Sequence, residues 1–495
     1  MDNLLSITIF IPAIAAVILA IFLRGDDAEA QGNAKWVAFI ASSMTFLVSL
    51  FILFEFDAGD PGFQFREEHE WVFGITYRVG VDGISLWLVM LTTILMPLII
   101  AGSWGQAART KGFMIALLMA QTLILGAFLS LDVMFFFIFA ETALIPLMMM
   151  LAIWGGDGGR TSAVKLLLYA LPGAVVMLVA MVVMVFDAGT TDIEALMTHQ
   201  FSDTISPLWM ALAFLVPFAV KLPIWPLHVC FAGAATGAGG RMPLAGVIVM
   251  VALMTKLGAF GILRFVMPMF PEGAVMLSDI LMWLSIALIL YAALVAMAQN
   301  DLMQLFVYAG LGHMGFVLLG MMSATQQGVD GALFAMVSHG VVITALMLVL
   351  AALNERVGST DIAAYGGVAA KMPLLAFGAL IFTLASLGVP ATSGFIGTVL
   401  IMVGMFEGQP ILAALALLGV ALLAAALLRV MKQVMFGPLI KQSLKDMTAL
   451  SRREICVFAA LFGVILYLGL FPGVITETTG ATVDALVQGY ADARD

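Results

Sequence analysis

Residues 208–228 read LWMALAFLVPFAVKLPIWPLH, an apolar stretch long enough to cross a lipid bilayer that nevertheless contains a lysine. Placing a lysine in hydrocarbon costs about 3 kcal/mol, so an intramembrane lysine usually has a function. Pro223 and Pro226 lack backbone N–H groups and predict that the helix breaks just after Lys221. A helix break at membrane depth is tolerated where it packs inside protein or lines a wet cavity. Lys221 is therefore predicted to lie on an ion or proton pathway, the alternative being a side chain that reaches the membrane surface.

The composition indicates a polytopic membrane protein. Of 495 residues, 63% are hydrophobic and 11% are charged, and the mean hydropathy is +1.12. A soluble domain is about half apolar and about a quarter charged. The two cysteines, Cys230 and Cys456, lie far apart in apolar sequence, so neither a disulfide framework nor a metal site is expected. The sequence has no CxxC, HExxH or Gly-rich phosphate-loop motif, which argues against metal, nucleotide and nucleic-acid chemistry.

Apolar runs of about 18 residues or more predict about fourteen transmembrane spans, and hence an all-α polytopic fold. In chain order, spans 1 to 14 have their predicted cores at residues 3–23, 35–56, 82–104, 112–131, 132–153, 161–187, 205–228, 243–266, 275–298, 301–323, 329–352, 372–406, 410–432 and 455–474.

The distribution of cations predicts the orientation in the membrane. With the N-terminus outside, the inner segments hold about fifteen lysines and arginines and the outer segments about four. This bias predicts an even number of spans with both termini on the outer side of the membrane. Residues 434–451 are too polar to cross the bilayer and are predicted to lie along the inner surface. The inner cations are Arg24, Lys35, Arg109, Lys111, Arg160, Lys165, Arg241, Arg356, Lys371, Arg429, Lys432, Lys441, Lys445, Arg452 and Arg453. The outer cations are Arg66, Arg78, Arg264 and Arg494.

A second interruption lies in span 12, where residues 386–394 read SLGVPATSG. Gly388 and Pro390 predict a helix break there, and two broken segments at corresponding positions favour a transporter built from inverted repeats. Spans 4–8 and 9–13 would be the two five-helix repeats, although no clear residue-by-residue identity relates them. The predicted domains are residues 1–111 (three helices), 112–266 (first repeat), 267–432 (second repeat) and 433–495 (surface segment, last span and short tail).

Four more ionisable residues are predicted near the middle of spans: Glu141 in span 5, Lys256 in span 8, His313 in span 10 and His339 in span 11. A carboxylate is the natural partner of a buried lysine, so Glu141 is predicted to pair with Lys221. The alternative is a neutral carboxyl hydrogen-bonded to a neighbouring helix. Imidazole both accepts and donates protons, although a single membrane histidine can simply join two helices. Together these side chains indicate a proton or cation path.

Several motifs resemble those of one family. From about residue 81 to residue 472, the chain resembles the antiporter-like M subunits of proton-pumping NADH–quinone oxidoreductase, respiratory complex I. The motifs are VDGISL at 81–86, Glu141 followed by ALIPL at 143–147, FAVKLP at 218–223, KLG at 256–258, HMGF at 313–316, SHG at 338–340 and FGP at 436–438.

The resemblance implies a location in the bacterial inner membrane, with the outer side facing the periplasm, and it implies a mechanism. Glu141 and Lys221 would form a coupling pair that responds to quinone reduction elsewhere, Lys256 would carry the proton, and His313 and His339 would extend the hydrated path. The chain itself would hold no cofactor. NADH, FMN, iron–sulfur clusters and quinone would bind partner subunits, and other membrane-arm subunits, including antiporter-like ones, would flank this chain.

Two stretches depart from the family pattern. Thr398 stands where the family has a glutamate that serves the proton outlet, and threonine cannot carry charge. Residues 229–241 read VCFAGAATGAGGR and lack the aspartate and second histidine expected after His228. A local sequence error or genuine divergence would explain the second stretch. The resemblance therefore supports the Glu141–Lys221–Lys256 half of the path more strongly than the outlet half.

Three other functions are compatible with parts of the pattern. A subunit of a multi-subunit cation/proton antiporter would share this fold without redox coupling. A structural spacer of the membrane arm would fit the uncharged Thr398 but not the retained glutamate and lysines. An independent solute permease fits least, because no polar cluster beyond the ionisable ladder indicates a substrate pocket.

Overall fold

A computed structural model describes residues 3–23, 25, 27–70, 76–105, 109–202, 205–236 and 242–494 of the chain. Arg24 and Arg241, two of the predicted inner cations, lie outside these residues. The helices and strands are α1 (Leu4–Phe22), α2 (Ala28–Glu55), β1 (Gln64–Glu70), β2 (Thr76–Val81), α3 (Gly83–Gly102), α4 (Thr110–Leu129), α5 (Val133–Thr142), α6 (Leu144–Trp154), α7 (Gly159–Ala188), α8 (Ile193–Thr198), α9 (Pro207–Lys221), α10 (Val229–Thr236), α11 (Leu244–Val249), α12 (Thr255–Gly261), α13 (Met267–Met269), α14 (Pro271–Ala298), α15 (Leu302–Met322), α16 (Gln326–Val357), α17 (Pro373–Ser386), α18 (Ser393–Phe406), α19 (Pro410–Val434), α20 (Gln442–Lys445), α21 (Arg452–Leu470) and α22 (Gly473–Asp492).

The protein is a multi-pass membrane protein with a mostly helical fold. Within the described residues, 12 helical runs are long and apolar enough to cross a membrane, and each coincides with a predicted span. Two runs are composite: α5 with α6, and the Lys256 helix (Leu244–Met269), which contains α11, α12 and α13. Spans 7 and 12 instead appear as pairs of shorter helices, α9 with α10 and α17 with α18. The total of about fourteen crossings and the domain boundaries stay predictions.

A two-stranded antiparallel hairpin, β1–β2, adds a small sheet that the all-α prediction did not contain. Its first strand, QFREEHE, is mostly charged and lacks the regular apolar alternation that indicates a strand. The hairpin binds the start of α1, where the Glu67 carboxylate accepts a 2.6 Å hydrogen bond from the Leu5 backbone N–H and another from the Ser6 hydroxyl. The Tyr77 hydroxyl lies 2.8 Å from the same serine hydroxyl, and burial raises the pKa of Tyr77 to about 12.

The hairpin marks one end of the bundle, called here the hairpin end, where α1, α3, α5 and α16 begin. The opposite end is where α4 and α15 begin and α3 and α16 end. Residues 435–451 lie at the opposite end and contain only the short helix α20. There the Arg356 guanidinium donates 2.8 Å and 2.9 Å hydrogen bonds to the Glu454 carboxylate at the start of α21.

The predicted short tail instead forms a helix, α22, that packs on α3, α14 and α16 at the hairpin end. The Trp87 indole N–H donates a 2.6 Å hydrogen bond to the Thr478 hydroxyl, and the Gly83 N–H donates a 3.3 Å bond to the Thr482 hydroxyl. A helix this rich in threonine and glycine has too little hydropathy to be found by a search for apolar runs. Both ends of the described chain therefore lie at the hairpin end.

Two similar loop contacts hold the starts of α5 and α15. Asp132 caps α5 and accepts a hydrogen bond from the Thr191 hydroxyl, while Asp301 caps α15 and accepts one from the Thr360 hydroxyl. In both cases the threonine follows its aspartate by 59 residues. The first contact lies at the hairpin end and the second at the opposite end. This relation agrees with the predicted inverted repeats, which stay a prediction.

Candidate functional site

The break in span 7 places Lys221 at the end of a helix. Helix α9 ends at Lys221, and the Leu222 N–H closes it with a 2.7 Å hydrogen bond to the Phe218 carbonyl. Pro223 and Pro226 lie in the interruption before α10, where proline cannot donate the backbone bonds that would continue the helix. The Lys221 ammonium is thereby held inside the bundle, with its side chain 3% exposed.

The ammonium of Lys221 contacts the carboxylate of Glu141. The distance from Nζ to Oε1 is 2.5 Å, and the Glu141 side chain is 16% exposed. Glu141 precedes a second interruption, because α5 ends at Thr142 and α6 begins at Leu144. Pro146 cannot donate a hydrogen bond to the carbonyl of Thr142, which accounts for the irregular turn. Two helix discontinuities thus meet at one buried ion pair.

Lys256 lies between two π-helical turns, at Met250–Met254 and Ile262–Val266. Such turns are rare and occur often at functional sites, and sequence periodicity did not predict them. The Lys256 side chain is fully buried. Its ammonium lies 3.3 Å from the Val251 carbonyl oxygen, 3.2 Å from the Thr255 hydroxyl and 2.5 Å from Nδ1 of His339.

Gly258 allows the Lys256 helix to touch the end of α9. A Cβ atom at this position would lie 2.4 Å from the backbone nitrogen of Leu222 and 2.7 Å from the carbonyl oxygen of Phe218. Only glycine fits so close to another backbone without displacing it. The backbones that carry Lys221 and Lys256 are therefore in direct contact, which brings the Glu141–Lys221 pair and Lys256 to neighbouring positions.

The two predicted histidines adjoin Lys256 and a cavity. The rings of His313 and His339 are 5.4 Å apart between centroids, and Nε2 of His313 lies 3.0 Å from the hydroxyl of Ser386, the last residue of α17. Among the described residues, Nε2 of His339 has no hydrogen-bond partner. Both imidazoles line the cavity, together with Ser338, Ser386 and Thr398. Lys256, His339 and His313 thus form one contiguous polar group.

The break in span 12 forms a wall of that cavity. Helix α17 ends at Ser386 and α18 begins at Ser393, with Gly388 (φ 69°) and Pro390 in the interruption. Glycine suits this left-handed conformation because it has no Cβ. The Ser338 hydroxyl donates a 2.7 Å hydrogen bond to the Ser393 hydroxyl and joins α16 to the start of α18.

An additional buried ion pair was missed from the sequence. The Arg264 guanidinium, assigned above to an outer segment, lies 2.6 Å from the Asp82 carboxylate, with the two side chains 6% and 2% exposed. The guanidinium carbon also lies 4.8 Å from the ring centroid of Phe63 and 5.2 Å from that of Phe260. Asp82 caps α3, and Arg264 lies in the second π-helical turn. The separation of the partners along the chain left no local signal.

The divergent stretch after span 7 is only partly described. Residues 229–236 form α10, whereas residues 237–241 lie outside the described residues. His228, just before α10, is buried, and its ring centroid lies 4.9 Å from that of Tyr291. Within the described part of the chain, no three histidine, cysteine or acidic side chains come together as metal ligands.

Known proteins resemble this chain both in sequence and in fold. A family of membrane domains described as NADH:quinone oxidoreductase/Mrp antiporter, TM matches residues 130–424. NADH-quinone oxidoreductase subunit M of Rhodobacter capsulatus is 44% identical over 502 residues, which cover 99% of this chain and 97% of that protein. A chain of respiratory complex I from Thermus thermophilus with bound NADH superposes with a TM-score of 0.89 at 28% identity, covering 98% of this chain and 99% of that one. A chain of the Mrp complex from a Dietzia species has a TM-score of 0.83 at 19% identity, covering 100% and 99%, which is a likeness of fold alone. The chain therefore belongs to the NADH:quinone oxidoreductase/Mrp antiporter family of membrane subunits.

Proposed function

We propose that this chain is a proton-translocating membrane-arm subunit of a bacterial NADH–quinone oxidoreductase. Bacterial relatives that match over nearly the whole chain, such as that of Rhodobacter capsulatus, carry the name of that enzyme's subunit M. NADH, FMN, iron–sulfur clusters and quinone would bind other subunits, and neighbouring membrane-arm subunits would be its partners. The hairpin end would face the periplasm, in keeping with the excess of cations at the opposite end.

The observation that carries the proposal is the row of buried and partly buried ionisable groups inside the bundle. In the resting pair, the Lys221 ammonium is neutralised by the Glu141 carboxylate at 2.5 Å. When the pair separates, the field at the neighbouring Lys256 changes, because charges interact strongly in a dry interior. The Lys256 ammonium then releases a proton to Nδ1 of His339, 2.5 Å away. The proton leaves from Nε2 of that imidazole toward His313 and the cavity.

A cation/proton antiporter subunit is the second candidate. The fold likeness to the Mrp chain is compatible with it, but the identity is 19%, against 44% to the Rhodobacter capsulatus subunit. Copurification with NADH dehydrogenase activity would separate the two functions.

The first test is the Glu141→Gln variant of the assembled complex. The amide cannot neutralise Lys221, so we expect proton pumping and NADH–quinone turnover to fall together by about tenfold, roughly 1.4 kcal/mol in barrier. Pumping is measured by quenching of a pH-sensitive dye in vesicles, and assembly by native gel. Glu272→Gln, at an exposed carboxylate in the first turn of α14, is the matched control. Normal pumping by an assembled Glu141→Gln complex would contradict the proposal.

A further inference from the structure

Among the described residues, no aspartate, glutamate, lysine or arginine lines the cavity beside the histidines. Of the described residues that line it, only His313 and His339 have ionisable side chains. Thr398 lines the part that lies toward the hairpin end, and its hydroxyl donates a 2.9 Å hydrogen bond to the Gly394 carbonyl. A proton that reaches the cavity therefore needs another acceptor between Thr398 and the hairpin end.

Asp330 is a buried carboxylate in the first turns of α16, at the hairpin end. It is 9% exposed and accepts a 3.0 Å hydrogen bond from the Gln326 side-chain amide and a 3.1 Å bond from the Thr479 hydroxyl of α22. Both donors are neutral, and none of the described cations forms an ion pair with this carboxylate. A carboxylate buried without a cation is expensive, so its presence indicates a function.

The packing of α16 on α18 locates Asp330 along the path. Gly331 faces Ile401, and Ala335 faces Gly397, so the two helices run in opposite directions at this contact. At a rise of 1.5 Å per residue, Asp330 lies about 6 Å beyond Thr398 and about 14 Å beyond His339 in the direction of the hairpin end. The carboxylate therefore lies between the cavity and the surface that α22 covers.

Further polar groups lie between Asp330 and the surface that α22 covers. The Gln326 amide that binds Asp330 also donates a 3.4 Å hydrogen bond to the Gly480 carbonyl of α22. Its amide oxygen is buried and has no hydrogen-bond partner among the described residues. Buried polar atoms of this kind are normally satisfied by ordered water. The carboxylate of Asp484, farther along α22, is near enough to repel the carboxylate of Asp330. Polar groups thus lead from Asp330 into the contact with α22.

We propose that Asp330 is the outlet carboxylate of this chain, an inference that rests on the proposed function. The carboxylate accepts a proton delivered by water from the His313–His339 cavity and becomes a neutral acid. It then returns the proton to water at the hairpin end. The Gln326 and Thr479 donors hold the carboxylate in place for both transfers and exchange no proton themselves.

The test uses vesicles containing the assembled complex with Asp330→Asn, which keeps the shape of the side chain and removes its titration. We expect proton pumping and NADH–quinone turnover to fall together at least twofold, as for Glu141→Gln, and Asp330→Glu to restore both. Thr398→Glu, combined with Asp330→Asn, places a carboxyl group in the cavity itself and should also restore pumping. Asp279→Asn, at an exposed carboxylate near the hairpin end of α14, is the matched control.

The combined variant separates an outlet from a structural role. A carboxyl group at position 398 cannot repair the contact between α16 and α22, so restored pumping supports the outlet. Unchanged pumping by Asp330→Asn, or a loss that Thr398→Glu does not restore, would overturn the outlet assignment.

The Glu141→Gln variant is measured in the same vesicles, so that failure of the outlet and failure of the proposed function can be told apart. If that variant stops pumping while Asp330→Asn does not, only the outlet is wrong. If Glu141→Gln itself pumps normally, the proposed function fails.

Discussion

Gly258 shows how one missing side chain sets the spacing of two buried lysines. It lies two residues after Lys256 and against the backbone that immediately follows Lys221. Any larger residue must push the Lys256 helix away from α9. The electrostatic influence of the Glu141–Lys221 pair on Lys256 depends on that separation. In the proposed mechanism, the glycine therefore sets the strength of that influence although it carries no charge.

A Gly258→Ala substitution tests this dependence. The added methyl group would overlap the backbone nitrogen of Leu222, so we expect a destabilisation of about 2 kcal/mol and a fall in coupled pumping. The midpoint of thermal unfolding of the purified complex and dye quenching in vesicles are the measurements. Gly463→Ala in α21 is the control, because a Cβ there has no described atom within 4 Å. Equal behaviour of the two alanine variants would show that the close approach has no effect.

Sequence reasoning worked best for residues that are costly to bury. The expense of Lys221 in hydrocarbon predicted a carboxylate partner, and the structure places Glu141 beside it. The Arg264–Asp82 pair was missed, because Asp82 was taken as part of a motif and Arg264 as a surface cation. Asp330 was missed for a related reason, since a charge near the edge of a span is ordinarily solvated. Only packing reveals that these groups are buried.

At the scale of helices and loops, the Asp132–Thr191 and Asp301–Thr360 contacts are equivalent. In each, the aspartate caps a helix and a residue next to the threonine forms a short β-bridge with the aspartate. The threonine hydroxyl is in each case the side-chain donor to the second carboxylate oxygen. The equivalence is local, which is why comparison of whole repeats in the sequence did not find it.

Thr191→Val and Thr360→Val should have equal effects if the contacts are equivalent. Each removes one hydrogen bond to a carboxylate, and we expect each to lower the stability of the complex by about 2 kcal/mol. Thr198→Val, at an exposed threonine in α8, should leave the unfolding midpoint unchanged. A large effect of one substitution and none of the other would count against the equivalence.

The elements that were predicted correctly are those with a strong apolar run or a proline. Long helices such as α14 and α16 follow from hydropathy alone, and the interruptions of spans 7 and 12 follow from proline and glycine. The π-helical turns have no comparable signal, because they change the hydrogen-bond register without changing the apolar pattern. Helix α22 and the β1–β2 hairpin depend on contacts with distant parts of the chain.

For the molecule as a whole, the distribution of charge predicts which end faces which compartment. The opposite end holds the described lysines and arginines near residues 109–111, 356 and 429–453, whereas the hairpin end carries the acidic strand β1. We therefore expect the hairpin end outside and the opposite end inside.

Cysteine labelling tests this orientation. In a chain with Cys230 and Cys456 replaced by serine, Glu70→Cys in the hairpin should react with a membrane-impermeant maleimide added to whole cells with a permeabilised outer membrane. Lys445→Cys in α20 should react only after the inner membrane is opened. Both original side chains are exposed. The reverse pattern would invert the orientation and place the Asp330 outlet on the inner side.

Helix α22 has a consequence for how the protein is made. Protein synthesis proceeds from the N-terminus, so α22 emerges after every helix that it binds, and α3 and α16 are already in the membrane by then. Until α22 is made, three groups lack the hydrogen bonds that it supplies: the Trp87 indole N–H, the Gly83 backbone N–H and the Asp330 carboxylate. The hairpin end therefore reaches its final packing only after α22 has been synthesised.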